Sequence, residues 1–213
     1  AGRGRPPRAR RVEGGGRPSG YFTGATGVTI YRGNAWPEEF LGDAFIADCG
    51  SNLVHRKKLR PDGASLKAER PADEQKVEFL ASTDNWFRPV QFANAPDGTL
   101  YVIDMYREII EHPWSLPPTL KKHLDLNSGN DRGRIYRIVP DGFKQPRKLN
   151  LSRASTKELV ATLEHPNGWH RDTAARLLYE RQDKSAAPEL AKLLEKSKSP
   201  LGRMHALYAL GGL

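Results

Sequence analysis

A chain of 213 residues with a net charge of +9 has room for one large or two ordinary domains. Its single cysteine, Cys49, excludes an intrachain disulfide, a cysteine-based zinc cluster and a Cys-x-x-Cys-His haem attachment; a small buried residue in a strand is its expected role. No apolar run reaches the ~18 residues of a membrane span, and residues 1–20 lack the apolar centre of a signal peptide.

The first 20 residues carry Arg3, Arg5, Arg8, Arg10, Arg11 and Arg17 against Glu13 alone, with Gly and Pro filling most of the rest. Such a segment cannot bury a core, and a disordered basic arm is predicted. Basic arms neutralise phosphates, but this one has no aromatics for stacking and no nucleic-acid-binding fold behind it, so specific nucleic-acid binding is not expected. The remainder of the chain is only mildly basic.

From Val28 to Val139 the pattern is one of short strands. Residues 28–31, 43–48, 53–57, 77–80, 100–104 and 134–139 are rich in β-branched and aromatic side chains, and Gly, Pro, Asn and Asp punctuate them. Pro-Asp-Gly occurs at Pro61, Pro96 and Pro140, where Pro presets φ, Asp bonds its own backbone and Gly takes positive φ. The spacings of 35 and 44 residues approach the ~40–50 of a four-stranded propeller blade, although a six-strand sheet or sandwich would read similarly. A propeller closes with about four to eight blades, and residues 21–147 supply about three at most, which suggests part of a longer protein.

Within this region Asp84-Asn85-Trp86-Phe87-Arg88-Pro89-Val90 sets an arginine beside aromatic residues. The guanidinium is a rigid fork of donors suited to an anionic or quinonoid ligand; equally, an arginine in a loop leading into a strand caps backbone carbonyls. Between Asp104 and Gly129 a long insertion brings Tyr106, Arg107, Glu111 and His112 together in sequence, and loops of this length in compact domains are often functional. Glu108, Glu111, His112 and Asp104 meet no recognised metal-ligand spacing, so no metal is assigned and a salt-bridged lid is expected. Lys121-Lys122-His123 reads as a solvated helix face.

After Leu149 the period becomes helical. Leu159, Val160 and Leu163, then Ala174, Ala175, Leu177 and Leu178, mark amphipathic helices. Ser155 three residues before Glu158 is a capping box, and Pro166-Asn167-Gly168 divides the pair. Glu158-Leu159 and Leu163-Glu164 return 31 residues later as Glu189-Leu190 and Leu194-Glu195, while Arg171, Ala174 and Leu178 return 32 later as Arg203, Ala206 and Leu210. This is a helical-hairpin repeat, and two units fall short of the ~3 that solenoids generally need, so fraying or association of the last helix is expected. Trp169 is predicted to anchor the hairpin core, with His165, His170 and His205 as interhelical hydrogen-bonding groups.

Ile30-Tyr31-Arg32-Gly33-Asn34-Ala35-Trp36-Pro37 through Asp48, then Asn85 to Asp104, then Gly129-Asn130-Asp131-Arg132-Gly133-Arg134-Ile135-Tyr136-Arg137-Ile138-Val139-Pro140, followed by the helical repeats, resemble the membrane-bound dehydrogenase type of planctomycetes. In that family a glucose/sorbosone dehydrogenase-like β-propeller precedes HEAT-like repeats, commonly with a cytochrome c-type haem domain elsewhere in the full protein. The resemblance implies partial β-propeller blades over residues 21–149 and truncated HEAT-like repeats over 150–213.

It also implies pyrroloquinoline quinone, with calcium, as cofactor, a sugar or alcohol as substrate, and electrons passing to a haem c domain outside this chain. Arg32, between Tyr31 and Gly33, stands where relatives place a cofactor-binding lysine. Arg88 matches the second arginine of an Arg-x-Arg pair, and Trp86 replaces the first and offers stacking instead. The family's catalytic histidine comes from an earlier blade, so no catalytic base is assigned here. A periplasmic or cell-envelope location is implied in the same way. The alternative expectation is a non-catalytic propeller and solenoid module that binds carbohydrate or protein.

Overall fold

The structure is a computed structural model that describes residue 22, residues 24–110 and residues 112–213. The predicted arm over residues 1–20, and Glu111, lie outside the described residues. The chain divides into two compact units. The sheet unit comprises residues up to Tyr31, Phe40–Ala93 and Leu100–Ile138; the helical unit comprises Arg32–Glu39, Asn94–Thr99 and Val139–Leu213.

The sheet unit holds two antiparallel sheets. In the first, β1 (Ala25–Ile30), β2 (Ala44–Asp48), β3 (Leu53–Asp62) and β4 (Ser65–Glu69) follow one another in order, and β5 (Leu80–Ala81) pairs with the start of β3. In the second the order is β6 (Pro89–Asn94), β7 (Leu100–Asp104), β8 (Arg134–Ile138). No closed barrel or propeller is formed among the described residues.

Strand β2 has buried residues on both faces, Ala44, Phe45 and Ala47 among them, whereas β7 alternates, with Leu100 and Val102 buried on one face and Tyr101 and Ile103 half-buried on the other. Phe79 packs edge-on against Phe45 with ring centroids 4.9 Å apart, although the expected strand over 77–80 shrinks to the β5 pairing at Leu80 and Ala81. The three Pro-Asp-Gly glycines, Gly63, Gly98 and Gly142, all have positive φ. Cys49 is buried as expected but sits one residue beyond β2, in a turn.

The two sheets share a device at the end of their central strands. Asp48 Oδ1 accepts the Gly24 N–H (3.0 Å) and the Gly50 N–H (3.1 Å). Asp104 Oδ1 accepts the Arg88 N–H (2.7 Å) and the Tyr106 N–H (2.8 Å). In each case the acid holds the amide two residues ahead and the amide that leads into the neighbouring strand. An Asx turn of this kind satisfies main-chain donors where the ladder stops.

A four-residue helix, α1 (Pro118–Lys121), lies in the long β7–β8 connection; of the solvated helix face expected at Lys121-Lys122-His123 only Lys121 is helical, and Lys122 and His123 are exposed in the turn that follows. The helical unit carries α2 (Thr156–Thr162), α3 (Gly168–Arg181), α4 (Ala187–Lys196) and α5 (Pro200–Gly211). Its core is Leu151, Leu159, Val160, Leu163, Ala174, Leu178, Ala186, Leu190 and Ala206. The Ser155–Glu158 capping box forms reciprocally.

The sequence repeat returns in the hydrogen bonding of the hairpin corners. Arg171 Nη1 donates to the His165 and Pro166 carbonyls (2.6 and 2.8 Å), and Arg203 Nη1 donates to the Ser197 carbonyl (2.8 Å). His165 Nδ1 and Ser197 Oγ each accept the N–H two residues on, both at 3.0 Å. Trp169 is not the core anchor that the sequence suggests. It is 37% exposed and touches His170 edge-on at the rim, because Leu159, Leu163 and Leu178 already fill the centre.

Candidate functional site

The sheet unit carries a polar pocket of about 270 Å³, walled by Trp86 on one side and by residues 125, 127–132 on the other. Asp84 starts the Trp86 side: its Oδ1 accepts the Trp86 N–H (2.9 Å), and the Trp86 carbonyl accepts the Arg107 N–H (3.0 Å). Tyr106 has φ +50, a conformation uncommon for a bulky side chain and a pointer to function. Asp104 fixes it there, and the Tyr106 and Trp86 rings lie 5.5 Å apart at 44°.

The opposite wall is a chain of turns. Asp125 Oδ1 accepts the Asn127 N–H (2.9 Å) and its carbonyl accepts the Ser128 N–H; Asn127 and Gly129 carbonyls take the N–H groups of Asn130 and Arg132. Arg107 Nη1 donates to the Asn127 carbonyl (2.8 Å) and ties the two walls together. Gly129, at φ +85, lies so close to Tyr106 that a Cβ would collide with the Tyr106 carbonyl oxygen. Only glycine fits this approach.

Arg134 completes an aromatic stack. Its guanidinium carbon sits 3.6 Å from the Tyr106 ring centroid, and Nη1 donates to the Tyr136 hydroxyl (3.2 Å), a cation–π arrangement held by a second donor bond. Tyr136 in turn meets Phe87 edge-on at 5.9 Å.

The sequence candidates are distributed unevenly. Trp86, Tyr106 and Arg107 come together at this pocket. Arg88 lies behind it, 6% exposed, with Nε donating to the Arg107 carbonyl (2.9 Å), Nη1 to Cys49 (3.0 Å) and Nη2 to Glu108 (2.8 Å). Its fork therefore caps main-chain carbonyls.

Arg32 belongs to the helical unit, where it makes a bidentate pair with Asp172 at 2.7 and 2.9 Å. His112 Nδ1 accepts the Trp114 N–H (3.2 Å) and caps a single 3-10 turn. In place of the expected salt-bridged lid, the described part of the insertion is tied down by arginine-to-carbonyl bonds. Sequence reading missed Asn127, Asn130, Asp131 and Arg134; the dense run of turn-formers from Asp125 to Gly133 was the available signal.

The helical unit contains three buried or half-buried histidines. Desolvation holds His165, His170 and His205 below the ordinary imidazole range, and the nearby Arg171 cation adds to this for His165 and His205. His170 Nε2 meets the Pro96 carbonyl (2.9 Å), its ring lies 4.5 Å from that of His165, and His205 faces Asp172 at 3.9 Å, an attraction that only partly offsets burial. The unfolded chain takes up protons near pH ~6.5 while the folded one resists them. Stability contributed by these groups is therefore full above ~6.5 and is lost as pH falls toward the depressed folded values. A helical circular-dichroism melt of the chain should show Tm falling between pH 7.5 and 5.5, and His170→Gln should flatten that slope.

Residues 6–142 match the family model described as a domain of unknown function, DUF7133. The chain belongs to the DUF7133 family. Residues 156–213 match HEAT repeats, so the DUF7133 region is followed by HEAT-like hairpins, in the order that the sequence suggested. No curated protein and no solved structure matches the chain. No helix among the described residues is long and apolar enough to cross a membrane. The pocket and its aromatic stack lie wholly within the DUF7133 match.

Proposed function

We propose that the DUF7133 region is a recognition module for a saccharide, bound in the Trp86 pocket without turnover. The observation that carries this reading is the pairing of an aromatic wall with a loop of Asp125, Asn127, Asn130 and Asp131. A sugar ring offers an apolar C–H face to an aromatic and a rim of hydroxyls to side chains that accept or donate hydrogen bonds. At about 270 Å³ the pocket is slightly below the ~300–1,000 Å³ of drug-sized sites and suits about one ring.

The rival reading is the quinone-dependent dehydrogenase that the resemblance implies, with a sugar or alcohol as substrate, and Trp86 as a stacking wall favours it. The residues fit pyrroloquinoline quinone poorly, however. A quinone with several carboxylates needs fixed cations, whereas Arg88 and Arg32 are engaged with carbonyls and with Asp172, and the pocket lining sets two acids, Asp125 and Asp131, against the one arginine, Arg132.

Calorimetric titration of the chain with a panel of mono- and oligosaccharides, and with pyrroloquinoline quinone with and without calcium, separates the two readings. Saturable saccharide binding is expected, and Trp86→Ala should weaken it by about 2 kcal/mol, roughly 30-fold. Binding of the quinone alone, lost in the same variant, would replace this reading by its rival.

A further inference from the structure

The two hairpins of the helical unit set their first helices, α2 and α4, side by side. Thr156 Oγ1 donates to Asp183 Oδ2 (2.6 Å) where the two helices begin, and Ser197 Oγ donates to Glu164 Oε1 where they end, so they run in one direction. Between them lies a groove of about 280 Å³. Its floor is apolar: Val160 is buried and Leu193 half-buried, with the small Ala161 beside them. Its rim is charged, with Lys157, Lys192 and Lys196 set against Glu164 and Glu189. Glu164 is already engaged by Ser197, and Gly202 packs on its stem so closely that a Cβ would lie 2.8 Å from Glu164 Cγ. The ion pairs of the helical unit, among the described residues, are Arg32–Asp172, His205–Asp172 and Arg176–Glu180. Three exposed lysines therefore stand over an apolar floor with no carboxylate at ion-pair distance.

We propose that the groove between α2 and α4 seats an acidic segment of a partner protein, with an apolar side chain on the Val160–Leu193 floor and carboxylates at the lysines. Charge complementarity chooses this occupant: unpaired cations around a desolvating floor favour and steer an acidic ligand. Spacing chooses a segment over a small carboxylate. Lys157, in the first turn of α2, and Lys196, in the last turn of α4, lie roughly 10–12 Å apart along the helix axes, the length of about three to four residues of extended chain. One segment with acids three apart and an apolar residue between them reaches both ends, whereas a single carboxylate reaches one. Nucleic acid is disfavoured, because no aromatic side chain lines the groove for bases to stack on. A second copy is disfavoured because the chain itself carries a net charge of +9. The groove lies in the HEAT match and the saccharide pocket in the DUF7133 match, so either reading can fail without the other.

The test is fluorescence anisotropy of labelled, capped peptides titrated with the 213-residue chain. One peptide is centred on Glu-Leu-Ala-Glu, a second has Lys for both Glu, and a third has Ser for Leu. Saturable binding is expected of the first peptide alone. Lys192→Glu and Ala161→Glu, both at exposed helical positions, should each weaken it about tenfold, the first by reversing a rim charge and the second by setting a carboxylate over the floor. Lys184→Glu, an equal charge change at an exposed position outside the groove, should leave binding unaltered. Circular dichroism at 222 nm checks that each variant keeps its helices, and the Lys192 and Lys184 variants decide the matter if Ala161→Glu does not fold. Equal weakening by Lys184→Glu would overturn the proposal by showing simple charge attraction, and undiminished binding of the serine peptide would do so by leaving the floor unused. Absence of binding by the first peptide would also overturn it, as would an oligonucleotide that binds in its place and is lost in Lys192→Glu.

Discussion

Replacing Arg88 with alanine is expected to lower the stability of the sheet unit by about 3–5 kcal/mol. The side chain is almost completely buried and makes three main-chain bonds, to Cys49 beyond β2 and to Arg107 and Glu108 beyond β7. Truncation leaves those carbonyls without their donor and opens a cavity where the guanidinium lay. Arg88→Lys should recover little, since one ammonium cannot reach three carbonyls fixed by a planar fork. Urea unfolding followed by tryptophan fluorescence would measure the loss. A variant as stable as the parent chain would show that these bonds do not hold the two strand ends together.

The second large effect is expected at Asn167. Fully buried, it caps α3 by accepting the Trp169 N–H (3.0 Å), and its amide donates to the Ala95 and Pro96 carbonyls (2.9 and 3.2 Å). Those carbonyls belong to the Pro-Asp-Gly turn that packs in the helical unit. Asn167→Ala removes a cap, usually worth about 1 kcal/mol, and strands two buried acceptors at about 1–3 kcal/mol more. Asn167→Asp keeps the cap but turns the donor into a third acceptor facing two carbonyls, so it should be nearly as damaging. Thermal melts at 222 nm distinguish these outcomes from a merely local change, which would leave Tm unaltered.

What the sequence revealed was local. The Ser155–Glu158 box and the positive-φ glycines of the Pro-Asp-Gly turns follow from residues a few positions apart, the hairpin repeat from the recurrence of short patterns 31 and 32 residues on, and each is present. Strand β4 was hidden because Ser65-Leu66-Lys67-Ala68-Glu69 has no β-branched or aromatic residue; its register with β3 creates it. Strand β6 was hidden because it opens with Pro89, which argues against a strand from sequence alone.

The site divides similarly. Trp86 and Tyr106 were legible as conspicuous aromatics. The acceptors of Arg88 were not, because carbonyls carry no letter in a sequence. Arg134 reaches Tyr106 only through the β7–β8 register, which sets Arg134 opposite Asp104, and through the left-handed turn at Tyr106. Neither is written within any short window of residues.

The backward-reaching arginines of the hairpin corners have an engineering consequence. Each closes its corner onto a carbonyl only five or six residues upstream, so a hairpin brings the whole of its corner wiring with it. An array lengthened by splicing in further copies of residues 165–196 would carry a complete closure at every new joint. The arginine six places after the start of each corner would also serve as a ruler for aligning units whose other side chains have diverged.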